Sequence, residues 1–282
     1  MHPGLEWLRR LPEGRAWLDL LPRLLAECRE QWSLELEETF EYAHASLAVP
    51  AGDAVLKIQF PDRESGHEAD ALRLWNGAGA VRLLAYDRER RALLLERCRP
   101  GTSLQAALGA EAALDVIIGL LPRLWKPAGP SFRPLADEAA WWLEDLEGKR
   151  QRGGGRLERR LLDAAIEALR ELPGTQGEQV LLHQDLHADN VLAAEREPWL
   201  AIDPKPLSGE REFGLAPIVR GGELGHDERS VRGRLDRLSS ELGLDRERAR
   251  GWAIAQTLAW AWTNDEPHPD HVEVARWLLQ AE

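Results

Sequence analysis

Apolar residues recur at helical spacing over residues 14–31, where Trp17, Leu18, Leu20, Leu21, Leu24 and Leu25 make one broad face. Pro22 lies inside that run, and its missing N–H is expected to kink or split the helix. The period then changes. Leu34 and Leu36 alternate with acids up to Phe40, and residues 46–49 and 54–60 follow as apolar-rich runs. Three strands in a meander are predicted. Residues 63–76 return to helix, with Ala69, Leu72 and Trp75 on one side. Residues 81–86 and 92–96 read as two more strands around a charged turn. Arg99, Pro100 and Gly101 break the pattern and mark a hinge at 99–103. Beyond it the chain is mainly helical, over 110–126, 134–151, 156–172, 227–242, 245–264 and 269–281, with a connector at Gly153, Gly154 and Gly155. The clearest face is Leu157, Leu161, Ala165 and Leu169, spaced by four. One short buried strand is expected at 180–182. Residues 191–194 and 199–202 flank a polar turn and read as a hairpin. The class is α+β, with a strand-rich part over residues 1–98 and a mostly helical part over 99–282.

Composition narrows the partners. The chain has 282 residues and a net charge of -12. That balance disfavours nucleic acid and anionic membranes, whose phosphates it would repel, and favours cationic small molecules. No apolar run is long enough to cross a bilayer, and the N-terminus carries no signal-peptide pattern. Cys28 and Cys98 are far apart and have no zinc-like spacing, so free thiols in a reducing, cytoplasmic setting are expected. The lysines are Lys57, Lys126, Lys149 and Lys205; every other basic side chain is Arg. A lysine kept against that bias marks a place for a compact point charge.

The candidate chemistry is concentrated in the eight residues His183 to Asn190 and in Asp203. Asp185 and Asn190 are five apart, and a hairpin separates Asn190 from Asp203. A hairpin returns the chain to its starting edge, so an amide oxygen and a carboxylate can share one hard cation such as magnesium, beside a further carboxylate on Asp185. His183 and His187, four apart, also allow a transition-metal pair. Their position between two strands argues against that, and a metallohydrolase stands as the alternative. His183 reads better as a residue that braces the loop.

Four segments together resemble the aminoglycoside phosphotransferase superfamily, and within it the aminoglycoside/hydroxyurea antibiotic resistance kinases. They are residues 54–57, 67–75, 182–190 and 201–206, the last two being specific in combination. The resemblance runs from about residue 30 to the C-terminus. It implies a two-lobed protein-kinase-like fold and transfer of phosphate from ATP, with Mg2+, to a hydroxyl of a small, cationic acceptor such as streptomycin. Asp185 would be the catalytic base, and Asn190 and Asp203 the magnesium ligands. Lys57 would hold nucleotide phosphates, with Glu68 as its partner, and the backbone of Glu96, Arg97 and Cys98 would hold adenine. Asp189, Glu210, Asp265 and Glu266 are candidate acidic walls for the acceptor. Lys205 either positions a phosphate or braces the acidic loop, unless it pairs with Glu210 or Glu212. Oligomeric state is open.

Three departures accompany the likeness. Residues 42–46, between the first two expected strands, contain no glycine. Gln184 stands where these kinases have a small residue, and Gly214 where an Asp is expected. A kinase of another small metabolite, and a nucleotide-binding homologue with impaired transfer, are the alternative functions.

Overall fold

The computed structural model describes residues 2–152, 157–263 and 266–280. The expected connector at Gly153–Gly155 and the candidate Asp265 lie outside these residues. Two compact units are present, Met1–Gly101 with Ala193–Ile202, and Thr102–Leu192 with Asp203–Glu282. One boundary at 98/99 therefore does not divide the chain, although Gly101 falls inside the expected hinge. The reason is the hairpin at 193–202. The Val81 N–H donates to the Ala201 carbonyl and the Ala201 N–H to the Gly79 carbonyl, at 3.0 and 2.9 Å. Arg196 then clamps Glu96 through two bonds, Nε to Oε1 at 2.7 Å and Nη2 to Oε2 at 2.9 Å.

In the first unit, α1 (Pro12–Gln31) runs through Pro22 without splitting. The strands β1 (Ser46–Ala51) and β2 (Ala54–Gln59) come next, followed by α2 (Glu68–Trp75), β3 (Leu83–Asp87) and β4 (Ala92–Glu96). The sheet is antiparallel in the order β1-β2-β4-β3. The meander expected before residue 60 has two strands, not three. Residues 34–40 form no ladder. The Glu37 N–H reaches the Pro50 carbonyl, but Pro50 has no N–H to return, so β1 ends the sheet there. The glycine-free segment 42–46 consequently does not join two strands, and the turn that does contains Gly52 at φ 61°. Alternation along β2 sends Leu56 and Ile58 into a core with Trp17, Leu18 and Leu21 of α1. Lys57 and Gln59 share the other face, toward α2.

In the second unit, α3 (Leu104–Ala107), α4 (Ala110–Leu124), α5 (Leu135–Gln151) and α6 (Arg159–Glu171) precede β5 (Val180–Leu182). Next along the chain are β6 (Val191–Ala193) and β7 (Trp199–Ala201), the hairpin that from Ala193 onward belongs to the first unit; the second unit resumes with β8 (Leu207–Gly209), α7 (Ala216–Arg220), α8 (Glu228–Leu242) and α9 (Arg246–Ala259). The chain closes with the short pair β9 (Trp262–Thr263) and β10 (Glu266–Pro267), and then α10 (Pro269–Leu279). The helix expected to reach 264 stops at Ala259, because the chain turns there into β9. Trp142, Phe213 and Trp252 form a buried aromatic cluster between α5 and α9. Among the described residues no helix is long and apolar enough to cross a membrane.

Candidate active site

Strand pairing assembles the second unit's site. β5 and β8 are antiparallel, with Leu182 opposite Leu207. The residues just past each strand end, His183–Asp185 and Asp203–Lys205, therefore face one another. The Lys205 N–H extends the ladder to the His183 carbonyl at 3.0 Å. Gly209 lets β8 lie against α5, since a Cβ there would come within 2.7 Å of the Leu135 side chain.

Asp185 is buried, and its Oδ2 lies 2.9 Å from Lys205 Nζ. Lys205 thus pairs with the candidate base and not with Glu210 or Glu212. Asn190 donates from Nδ2 to the Asp185 carbonyl at 2.9 Å. That bond uses the nitrogen end of the amide, so the oxygen end is the one offered to a cation. Asp203 sits at φ 57°, in the left-handed region that Asp tolerates better than most residues. Asn190 and Asp203 offer an amide oxygen and a carboxylate on partly exposed side chains, hard donors of the kind magnesium takes. Among the described residues, one group of His, Cys, Asp and Glu is close enough to share an ion. It is His226, Asp270 and Glu273, and neither His183 nor His187 belongs to it. The zinc-type reading has no geometric basis at the loop.

The first unit carries the other expected pair. Lys57 Nζ donates to both carboxylate oxygens of Glu68, at 2.8 and 2.7 Å, and Gln59 Nε2 donates to Glu68 at 2.6 Å. Lys57 is 6% exposed and Glu68 2%. At such burial an ammonium needs its carboxylate, and Gln59 satisfies a further lone pair. Along the 96–98 segment the backbone is partly committed. The Glu96 N–H donates to the Arg82 carbonyl and the Arg97 N–H to the Asp53 carbonyl. Among the described residues the Cys98 N–H has no protein partner. Burial pushes the Cys98 thiol up to about 12, with Glu96 adding to the effect. Burial alone would also raise Glu96, but its bonds from Arg196 and the Arg82 N–H hold the carboxyl below its ordinary range.

Three of the acidic-wall candidates, Asp189, Glu210 and Glu266, lie among the described residues, and they sit on separate elements. Glu210 is 2% exposed and accepts from Arg248 Nη2 at 2.7 Å, from the Trp252 indole N–H and from the Gly177 N–H. It ties α9 to the turn before β5, so it is a buried structural carboxylate and cannot line an acceptor site. Asp189 is exposed on the 183–190 loop and accepts from Ser103 Oγ at 3.2 Å. Glu266 is exposed on β10. Glu223 was missed: its Oε1 accepts from the Ala188 N–H, inside the loop, at 2.9 Å. So was Gln59. The spacing of Lys57 and Gln59 on one strand face could have suggested it, but no local pattern signals Glu223.

Gln184 adopts φ 65°, in the region glycine favours, and its buried amide heteroatoms have no partner among the described residues. That conformation costs about 1 kcal/mol for a residue with a Cβ. Gly214 is buried, and a Cβ there would meet Trp125 and Leu182 at 3.4 and 3.5 Å.

Comparison with known proteins identifies the family. The model of the aminoglycoside/hydroxyurea antibiotic resistance kinases matches residues 31–267. The chain belongs to that family. It is 41% identical over 257 residues to the streptomycin 6-kinase of Streptomyces griseus, across 87% of this chain and 83% of that protein. It is 40% identical over 277 residues to the hydroxyurea phosphotransferase of Kitasatospora aureofaciens, across 93% of this chain and 79% of that one. Among solved structures it resembles a thermostable mutant of aminoglycoside phosphotransferase APH(4)-Ia in complex with ADP and hygromycin B. The TM-score is 0.60 at 11% identity, over 90% of this chain and 95% of that one. The fold is therefore the protein-kinase-like α+β fold, and this family member is a phosphotransferase with an alcohol group as acceptor.

Proposed function

We propose that this kinase transfers the γ-phosphoryl group of ATP to a hydroxyl of a small cationic acceptor, an aminoglycoside of the streptomycin type. The observation that carries the reading is the strand-paired loop that holds Asp185, Asn190 and the Asp203–Lys205 segment together. The Streptomyces griseus relative supports the acceptor class. The Kitasatospora aureofaciens relative makes hydroxyurea the second acceptor to try.

Each residue then has one task. Lys57, oriented by Glu68, binds nucleotide phosphates. The Cys98 N–H is the free hinge donor for adenine. Asn190 and Asp203 are the residues that would hold magnesium, which when bound supplies charge neutralisation on the phosphate oxygens. Asp185 accepts the hydrogen bond of the acceptor hydroxyl. It takes that proton as the new O–P bond forms and the bond to the leaving ADP oxygen breaks. Positioning does most of the catalytic work.

ADP release from the purified protein tests this across streptomycin, other aminoglycosides, hydroxyurea, an amino alcohol and a sugar. Asp185→Asn is expected to reduce kcat by on the order of 10²–10⁴ with ATP affinity nearly unchanged. Wild-type turnover by that variant would remove Asp185 as the base. Thermal stabilisation by Mg-ATP without ADP release for any acceptor would favour a nucleotide-binding protein that does not transfer.

A further inference from the structure

The end of α9 reaches back to the catalytic loop through side chains that the proposed reaction does not use. Trp260 lies just past Ala259. Lys205 Nζ lies 5.1 Å from its ring centroid, and the Arg220 guanidinium carbon 4.7 Å from the same centroid. Arg220 Nη1 donates to Gln256 Oε1 at 3.4 Å, and Gln256 Nε2 donates to the Gln184 carbonyl at 3.2 Å. Gln184 precedes Asp185, and Asp185 meets Lys205. The chain of contacts is a closed ring.

Each link restrains the next. Gln256 is fully buried and both ends of its amide are engaged, so its orientation is set by its partners. The Lys205 stem begins at a fixed place, because its N–H bonds His183 and Pro204 and Pro206 stiffen the segment on either side. Its far end is an ammonium on a flexible four-carbon chain. An aromatic face is what holds such a cation in place without competing for the carboxylate.

We propose that Trp260 is a positioning residue for the reaction: it keeps Lys205 on Oδ2 of Asp185, so that Oδ1 is the oxygen presented to the acceptor. This rests on Asp185 being the base. Removing the indole loosens the carboxylate at the moment of transfer and leaves substrate binding alone.

Trp260→Leu is expected to lower kcat about 5- to 20-fold, with both KM values within about threefold of wild type. Trp260→Phe, with a weaker aromatic face, is expected to retain about half the rate. In a Lys205→Met background Trp260→Leu adds no further loss, which distinguishes action through Lys205 from general destabilisation. A second readout needs no turnover. With few lysines in the chain, acylation by an N-hydroxysuccinimide ester followed by mass spectrometry reports each one. Trp260→Leu is expected to speed labelling of Lys205 by about threefold or more, with Lys126 unchanged. Should the leucine variant not fold, Trp260→Phe carries both measurements with a smaller effect. An unchanged kcat, losses that multiply with Lys205→Met, or unaltered Lys205 labelling each overturns the inference. Asp185→Asn is assayed alongside. If it keeps wild-type turnover, the base assignment has failed; if it loses turnover and Trp260→Leu does not, only the role of Trp260 has failed.

Discussion

Replacing Glu68 by Leu strands a buried ammonium, and the consequences for stability and for catalysis separate. Lys57 and Glu68 are 6% and 2% exposed, and the two oxygens lie 2.8 and 2.7 Å from Nζ. At an effective dielectric of about 20, charges this close attract by roughly 6 kcal/mol. Most of that repays desolvation, so the pair itself contributes little net stability. Glu68→Leu removes the attraction and leaves the desolvation of Lys57, and breaking a buried pair in this way costs about 3–5 kcal/mol. Gln59 also loses its acceptor, which adds about 1 kcal/mol. The double variant Lys57→Met/Glu68→Leu removes both charges and should return to within about 1–2 kcal/mol of wild type. Its turnover should stay low, because the cation proposed to bind nucleotide phosphates is gone. Urea unfolding, paired with ADP release, measures both. A double variant as unstable as Glu68→Leu would refute the desolvation argument, and one with wild-type turnover would refute the role of Lys57.

Two further outcomes concern stability. Burial first, then Arg220 and His268, push the His271 imidazole down to about 4, with Asp270 opposing. The folded pKa lies below the unfolded value near 6.5, so the unfolded chain binds the proton first; stability is intact above 6.5 and falls as pH drops toward 4. The loss is on the order of 2–3 kcal/mol, and His271→Phe should flatten that part of a urea-midpoint profile; a profile unchanged by the substitution contradicts the buried neutral ring. Arg196→Met leaves Glu96 without its two-pronged partner and frees the 193–202 hairpin from the Gly77 and Ala80 carbonyls. It should cost about 2–4 kcal/mol by urea unfolding, and a change below about 0.5 kcal/mol would show that the hairpin is held by its backbone bonds alone.

Local pattern made the structure around the 183–190 loop legible because its parts are close in sequence. The apolar run before His183, the hairpin after Asn190 and the spacing to Asp203 are all short-range signals, and β5, β6 and β7 form where they predict. Lys57 and Glu68 were legible for the same reason: one strand and the next helix place them. Residues 34–40 misled because alternation is necessary for a strand but not sufficient. A ladder also needs a donor on the neighbour, and Pro50 withholds it. Glu210 misled in the opposite sense. Its charge suggested an exposed wall, yet Arg248 and Trp252, from a helix beginning 36 residues later, enclose it.

That contrast locates what a kinase loop leaves unsaid. Asp185 can be found from the residues beside it, but what aims its carboxylate comes from Lys205, and what steadies Lys205 comes from Trp260. Neither of those contacts has a spacing rule, since the first depends on how β5 pairs with β8 and the second on how α9 packs in the second unit. A family pattern carried in short segments therefore identifies the reaction more readily than it identifies the rate. On the proposed roles, two chains sharing the loop and Asp203 would differ in turnover through residue 260, and Trp260→Phe measures how much of the difference that one ring supplies.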